Sequence, residues 1–457
     1  MKRLTVIGGG LAGCEAAWQA ARCGVEVDLY EMRPVRSGPA HRTNGLAELV
    51  CSNSLRGAAL ENAVGLLKEE LARLGSLIVT SARETAVPAG GALAVDRQRF
   101  SALVEARIAG ESRIAVHREE VRAIPLDRPA IVACGPLPSE EFLANLDAIV
   151  GRRMHYYDAA SPIVAADSID EGPMYRKSRY DKGASAEEGD YLNIPLDRDQ
   201  YAQLVADLRS LERHPAKDFE ETRYFEGCLP VEEMADRGDE VLRFGPLKPV
   251  GLRDPRTGKT PFAVVQLRKE NSAGSAYNLV GFQTRLSWPA QREAFGKLPG
   301  LAQAEWLRLG VMHRNTFIDA PRLLDETLKL RGTEALYFAG QITGAEGYVE
   351  AAACGMMTGI HAARAMLALP PIEFPRQTAF GAVVAHLQNR TTPDFQPSNV
   401  TWSFDGPFDS ARSAQDDKRE KARLGKRERR KLLAERALGE IERIAAETLL
   451  APAGYSR

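Results

Sequence analysis

The chain has 457 residues, 44% of them hydrophobic and 26% charged, with a formal net charge of −1. That length predicts two or three packed domains, and no segment approaches the roughly 20 apolar residues that a membrane span requires. The opening MKRLTVIGGG turns into a glycine loop before a secretory core could form, so the expected setting is the cytoplasm.

Read in chain order, LTVIG is a short apolar run and GGLAG a glycine turn. CEAAWQAARCG is a helix closed by Gly24, and VEVDLYE is a second strand. Gly8-x-Gly10-x-x-Gly13 therefore follows a strand and opens a helix, and Glu31 ends the next strand. Gly8 suits the tight turn, Gly10 lets the backbone approach a pyrophosphate, and Gly13 permits close packing. The helix N-terminus offers free N–H groups to phosphates, and Glu31 can accept the hydroxyls of an adenosine ribose. The motif alone does not choose between FAD and NAD.

Residues 58–74 carry apolar positions at helical spacing and end at Gly75, and AIVACGP at 130–136 reads as a buried strand running into a Gly-Pro break. Past about residue 155 the texture changes. SPIVAADSI, GDYLNIPL, VLRFGPLKPVGL, PFAVVQL and SAYNLVGFQTRL are short β-type runs, with one helical pattern, DRDQYAQLVADLRSL, among them. ALYFAGQITGAEG at 335–347 restores the strand-then-glycine texture, and a helix follows from Tyr348. The expected architecture is α/β: a Rossmann-type dinucleotide domain in two parts (1–155 and 316–457), an inserted α+β domain (156–315) and a basic C-terminal helix. The second glycine junction favours FAD, since it would bring another helix N-terminus to the cofactor.

The six cysteines are Cys14, Cys23, Cys51, Cys134, Cys228 and Cys354, none in a C-x-x-C pair. No metal site and no disulfide framework is expected. Cys14, Cys23, Cys134 and Cys354 read as structural. Cys51, in ELVCSNSLRG, has Arg56 and a helix expected near Ala58 to lower its thiol pKa. Cys228, in RYFEGCLPVEEM, has Arg223. Each is open to the plainer reading of a small buried hydrophobe.

Between Lys418 and Arg436 ten bases stand against three acids, a net +7 in a chain whose remainder is −8. Such polarisation suits contact with a polyanion. A solvated helix with an i,i+4 charge lattice fits the pattern as well.

GGGLAGCEAA, AHRTNGLAELVCSNSLR, DAASPIVAADSID, YFEGCLPVEEMA, FGPLKPVGL, YNLVGFQT, GVMHRNTFI and FAGQITGAEGYVEAAACG together resemble the TrmFO family. These are the folate- and FAD-dependent tRNA (uracil-5-)-methyltransferases of bacteria. The resemblance runs from residue 3 to at least 360. GQITGAEGYVEAA is shared in outline with the longer GidA proteins, which act on the wobble uridine and have a different cysteine loop.

The resemblance implies a 5-methyluridine-forming enzyme acting at T-loop position 54 of tRNA, with tRNA as its partner and no stable protein partner. It implies 5,10-methylenetetrahydrofolate as one-carbon donor and FADH2 as reductant, restored by NADH or NADPH. Gly8, Gly9, Gly10, Leu11, Ala12, Gly13 and Glu31 would hold the adenosine and pyrophosphate of FAD. Gly340, Gln341 and Gly347 would lie near its ribityl chain and ring, with Tyr348 stacked beside the ring. Cys228 matches the uracil nucleophile and Cys51 a second catalytic cysteine, acting as base or as protecting group. His313 and Arg314 read equally as active-site groups or interdomain packing.

Overall fold

A computed structural model describes residues 3–151, 154–181, 189–214, 229–391, 395–402 and 425–449. The opening βαβ unit forms as its pattern predicts. The apolar strand Leu4–Ile7 runs parallel to Val27–Tyr30, with the helix Leu11–Arg22 crossing between them. Ala130–Val132 pairs on the other side of the first strand, and Leu336–Phe338 adds in parallel beyond it. Ile114–His117 closes the opposite edge of this five-stranded parallel sheet. The strand at 336–338 thus returns to the sheet after just over two hundred residues spent elsewhere.

The return is fixed by helix packing. The helix Tyr348–Met366 lies on Leu11–Arg22. A Cβ on Gly355 would stand 2.2 Å from the Ala12 carbonyl oxygen, and one on Gly359 would stand 2.4 Å from that of Ala16. Backbones approach this closely only where side chains are absent. The N-termini of both helices consequently meet at the C-terminal edge of the parallel sheet, where open α/β sheets bind ligands.

The intervening chain builds a six-stranded antiparallel sheet in the order 175–176, 191–196, 263–269, 276–279, 163–165 and 306–308. Leu192, Ile194, Val265, Leu267 and Phe282 bury one face of it, with the helices Arg198–Ser210 and Trp288–Gly296, in a core of its own. The first of these helices starts in a capping box between Asp197 and Gln200. The chain leaves and re-enters through one antiparallel ladder, Met154–Ala159 against Met312–Phe317.

Two expected elements differ. The helix foreseen over 58–74 begins only at Ala63. Ser54–Gly57 is a strand paired with Ala92–Val95, and the Ala58 N–H continues that pairing to the Gly91 carbonyl at 2.9 Å. VLRFGPL begins as a short helix, Val241–Phe244, in place of a strand. Four residues do not separate the two periods, and the Arg243 guanidinium of the helical turn stacks 3.7 Å from the Phe262 ring centroid.

The helix Lys426–Leu449 packs Ala434, Ala437, Leu438, Ile441 and Ile444 into the first core. Residues 418–424 of the basic stretch lie outside the described residues.

Candidate active site

A groove of about 1110 Å³ runs along the C-terminal edge of the parallel sheet and joins both glycine junctions. Gly8, Gly10 and Glu31 line one part of it, and Gly340, Gln341 and Tyr348 the other. Gly8 sits at φ +109°, and a Cβ there would strike the Ala133 carbonyl oxygen at 2.3 Å. A Cβ on Gly10 would meet nothing within 4 Å. That backbone faces open space of the kind a pyrophosphate fills. Both helices begin at a glycine, Gly10 and Gly347, with no side-chain cap. Their first N–H groups are available to an anion.

Glu31 is buried at the end of its strand. Its carboxylate accepts the Gly9 N–H at 3.0 Å, the Arg33 N–H at 3.0 Å and Arg33 Nε at 2.8 Å. Burial alone would raise its pKa. The Arg33 guanidinium and the two backbone donors outweigh this and hold the carboxyl below its usual range. Arg33 also bridges to Glu48 at 3.0 Å, so the acidic end of the groove is rigid.

A second cleft of about 1130 Å³ opens off the groove, and Gln341, Gly347 and Tyr348 line both. It contains Cys51, Arg268, His313 and Asn315, and so draws on both cores. Tyr348 holds the cysteine loop, its phenol oxygen accepting the Cys51 N–H at 2.8 Å and the Ser52 N–H at 3.1 Å. Arg268 reaches across from the antiparallel sheet to Asn53 Oδ1 at 2.9 Å and Ser52 Oγ at 2.8 Å. Gln341 Nε2 donates to Tyr156 Oη at 2.7 Å and Glu346 Oε2 at 2.6 Å.

The environment expected for Cys51 requires correction. Arg56 turns to Glu350 on the second helix, and the helix N-terminus lies beyond the strand Ser54–Gly57. Besides Arg268, the cations that face this loop are Arg97, which donates to the Cys51 carbonyl at 3.3 Å, and Arg308. None of these arginines is near Cys51 in sequence. They were missed because only the sheet pairings bring them there.

His313 lines the cleft, and its pKa is pushed down to about 4 by burial and by the charges of Arg308 and Arg42. Arg314 is exposed. Cys14 and Cys354 are buried, their thiols pushed up by burial, Cys354 to about 12. Cys228 lies outside the described residues. Three residues further on, the Val231 N–H donates to the carbonyl of Gln283, at 2.7 Å, and Gln283 lines the Cys51 cleft. No cluster of three metal-ligating side chains occurs among the described residues, and no helix among them is long and apolar enough to cross a membrane.

Residues 3–370 match the family described as Glucose inhibited division protein A. The chain is 54% identical over 448 residues to the methylenetetrahydrofolate–tRNA-(uracil-5-)-methyltransferase TrmFO of Heliobacterium modesticaldum, covering 98% of this chain and 99% of that one. The TrmFO of Geobacter sulfurreducens is 54% identical over 439 residues, 96% and 98% of the two chains. Among solved structures, GidA of Aquifex aeolicus superposes with a TM-score of 0.71 at 16% identity, over 99% of this chain and 74% of that one. That likeness establishes the α/β fold with its inserted domain. The near full-length identity is the narrower finding, and by it the chain belongs to the TrmFO group within the glucose inhibited division protein A family.

Proposed function

We propose that the chain is a methylenetetrahydrofolate–tRNA (uracil-5-)-methyltransferase that holds FAD in the long groove and forms 5-methyluridine at T-loop position 54. The observation that carries this reading is the continuity of groove and cleft through Gln341, Gly347 and Tyr348. A ring lying at that junction is reached from the Cys51 side. The open backbone at Gly10, the two uncapped helix N-termini and the carboxylate of Glu31 fit the pyrophosphate and adenosine ribose of such a dinucleotide.

When bound, the flavin with methylenetetrahydrofolate supplies the one-carbon unit and the reducing equivalent, and NADH or NADPH restores the reduced state. The chain's own share is to activate and position the pyrimidine. Uracil C5 is a poor nucleophile until C6 is attacked, and a thiolate performs that attack and can leave afterwards. Cys228 is assigned that role. The bond from the Val231 N–H to the cleft wall at Gln283, three residues after Cys228, supports it. Cys51, on a loop clamped by Tyr348, Arg97 and Arg268, serves as base for the C5 proton or as protecting group. The target base must leave its stack to enter, and the exposed cations of the C-terminal helix give the RNA backbone a surface to meet.

Isotope-labelled methylenetetrahydrofolate, purified protein, NAD(P)H and unmodified tRNA test the reading directly. Mass analysis should find the label as a methyl group on the T-loop uridine. A Cys228→Ala variant should keep its yellow flavin and lose methylation; full activity in that variant removes the assigned nucleophile.

A further inference from the structure

The antiparallel sheet presents a cross-strand row with three polar members. Arg268 pairs with Asn278, Asn278 with Ile163, and Ile163, across a register shift after Trp306, with Arg308, so the four cross four strands. The charges of Arg97 and Cys51 acting on Arg308 place it on the side of the cysteine loop. Directly paired residues point to the same face. For this row that face is the one turned to the cysteine loop, because Arg268 bonds Ser52 and Asn53. Arg268 is fully engaged there. Arg308 is not: its Nε and Nη2 are both shut off from solvent and have no hydrogen-bond partner among the described residues. Asn278 Nδ2 and His313 Nε2 are in the same condition.

Leaving such donors unmade costs about 1–3 kcal/mol each, and more for a charged group. Here they gather at one place. The charges that act on Arg308 are those of Arg97 and Arg42, with the Cys51 thiol and Tyr348 phenol opposing them. Two cations thus act on it, and the carboxylate of Glu270 is committed to Arg97. Nε and Nη2 form the side edge of a guanidinium, whose two parallel N–H bonds match the two oxygens of a carboxylate or a phosphate.

We propose that Arg308 is a bidentate anchor for an oxyanion of the substrates, received beside the cysteine loop. The inference rests on the methyltransferase reading for the identity of those substrates. The oxyanion is either a glutamate carboxylate of the folate or a phosphate next to the extruded uridine. Both offer the same pair of oxygens, and neutralised analogues tell them apart.

The test measures binding to the flavin-loaded protein. Its ligands are tetrahydrofolate, tetrahydrofolate with both glutamate carboxylates amidated, a T-loop RNA hairpin, and the same hairpin with a methylphosphonate beside the target uridine. Arg308→Met should weaken one of the two charged ligands by at least about tenfold, with the flavin spectrum and melting temperature kept. The loss should disappear when that ligand's neutral analogue is compared between wild type and variant. Arg308→Lys, a point charge without the fork, should recover only part of the loss. Unchanged binding of both charged ligands would overturn the anchor, as would a loss that persists equally with both neutral analogues. If wild type methylates tRNA while Arg308→Met binds normally, the anchor alone fails; a wild type that binds neither ligand removes the methyltransferase reading and the anchor together.

Discussion

The phenol oxygen of Tyr348 accepts hydrogen bonds from two successive backbone N–H groups, those of Cys51 and Ser52. A residue at the start of the helix Tyr348–Met366 thereby fixes a loop almost three hundred positions earlier in the chain. Tyr348 was expected to stack beside the flavin ring. It lines both groove and cleft, and its hydroxyl acts as a clamp. Tyr348→Phe keeps the aromatic surface and deletes the acceptor. Two half-buried donors would be stranded, at a cost of about 1–3 kcal/mol in stability. The variant should retain FAD by its visible spectrum and lose at least about tenfold in methylation rate. Wild-type turnover would show that Arg97 and Arg268 suffice to hold the loop.

The contact between the two halves of the dinucleotide domain makes a sharper structural prediction. Gly355 faces the Ala12 carbonyl at a distance where no side chain fits. Gly355→Val should push the helix Tyr348–Met366 away from Leu11–Arg22 and separate the two N-termini that open on the groove. Overpacking of this kind costs about 1–3 kcal/mol, and FAD occupancy after purification should fall markedly. A fully yellow, normally stable variant would mean that the groove does not depend on this contact.

The first βαβ unit was legible because each of its signals is local: a four-residue apolar run, a glycine turn and a helix closed by Gly24. The second glycine junction was legible for the same reason. Arg97, Arg268 and Arg308 were not. An arginine within a β-type run is most simply an outward-facing residue, and only the register of Arg268 with Asn278 and of Ile163 with Arg308 turns two of them towards Cys51. The helix start was misjudged at Ala58 because AALENAV has good helical spacing. The pairing of Ser54–Gly57 with Ala92–Val95 is a contact across more than thirty residues that no local pattern carries.

Lys68 gives the fold a pH dependence of predictable sign. Its ammonium donates to the carbonyls of Leu55 and Gly57 at 2.8 and 2.7 Å, beneath the cysteine loop. Burial, with Arg56 close by, pushes its pKa down to about 7. The unfolded chain keeps this proton up to about pH 10.4. Between those values the unfolded state binds more protons than the folded one, so stability rises with pH. Below about pH 7 both states are protonated and this slope vanishes. The gain should be on the order of 2 kcal/mol between about pH 7 and pH 9. Glu70, whose carboxyl burial pushes up to about 8, opposes this below about pH 8, so denaturant unfolding should show the rise as the difference between wild type and Lys68→Met across that range. Parallel curves for the two proteins would mean that Lys68 stays charged in the fold.

The C-terminal helix is held by its apolar face, which leaves the exposed Arg427 and Lys431 open to substitution without unfolding it. Arg427 lies 2.8 Å from Glu61 yet is 88% exposed, and Lys431 stands 4.0 Å from Glu435 with 70% exposed. Pairs this exposed contribute roughly 0–1 kcal/mol each. Replacing both cations with glutamine should therefore barely move the melting temperature. If each neutralises one tRNA phosphate, the slope of log affinity against log salt should become shallower by about 1.4 to 1.8 in the double variant. Affinity at low salt should fall with it, while the flavin spectrum stays unchanged. Identical slopes for wild type and variant would take these two cations out of the RNA contact and return the helix to the simpler role of a solvated charge lattice.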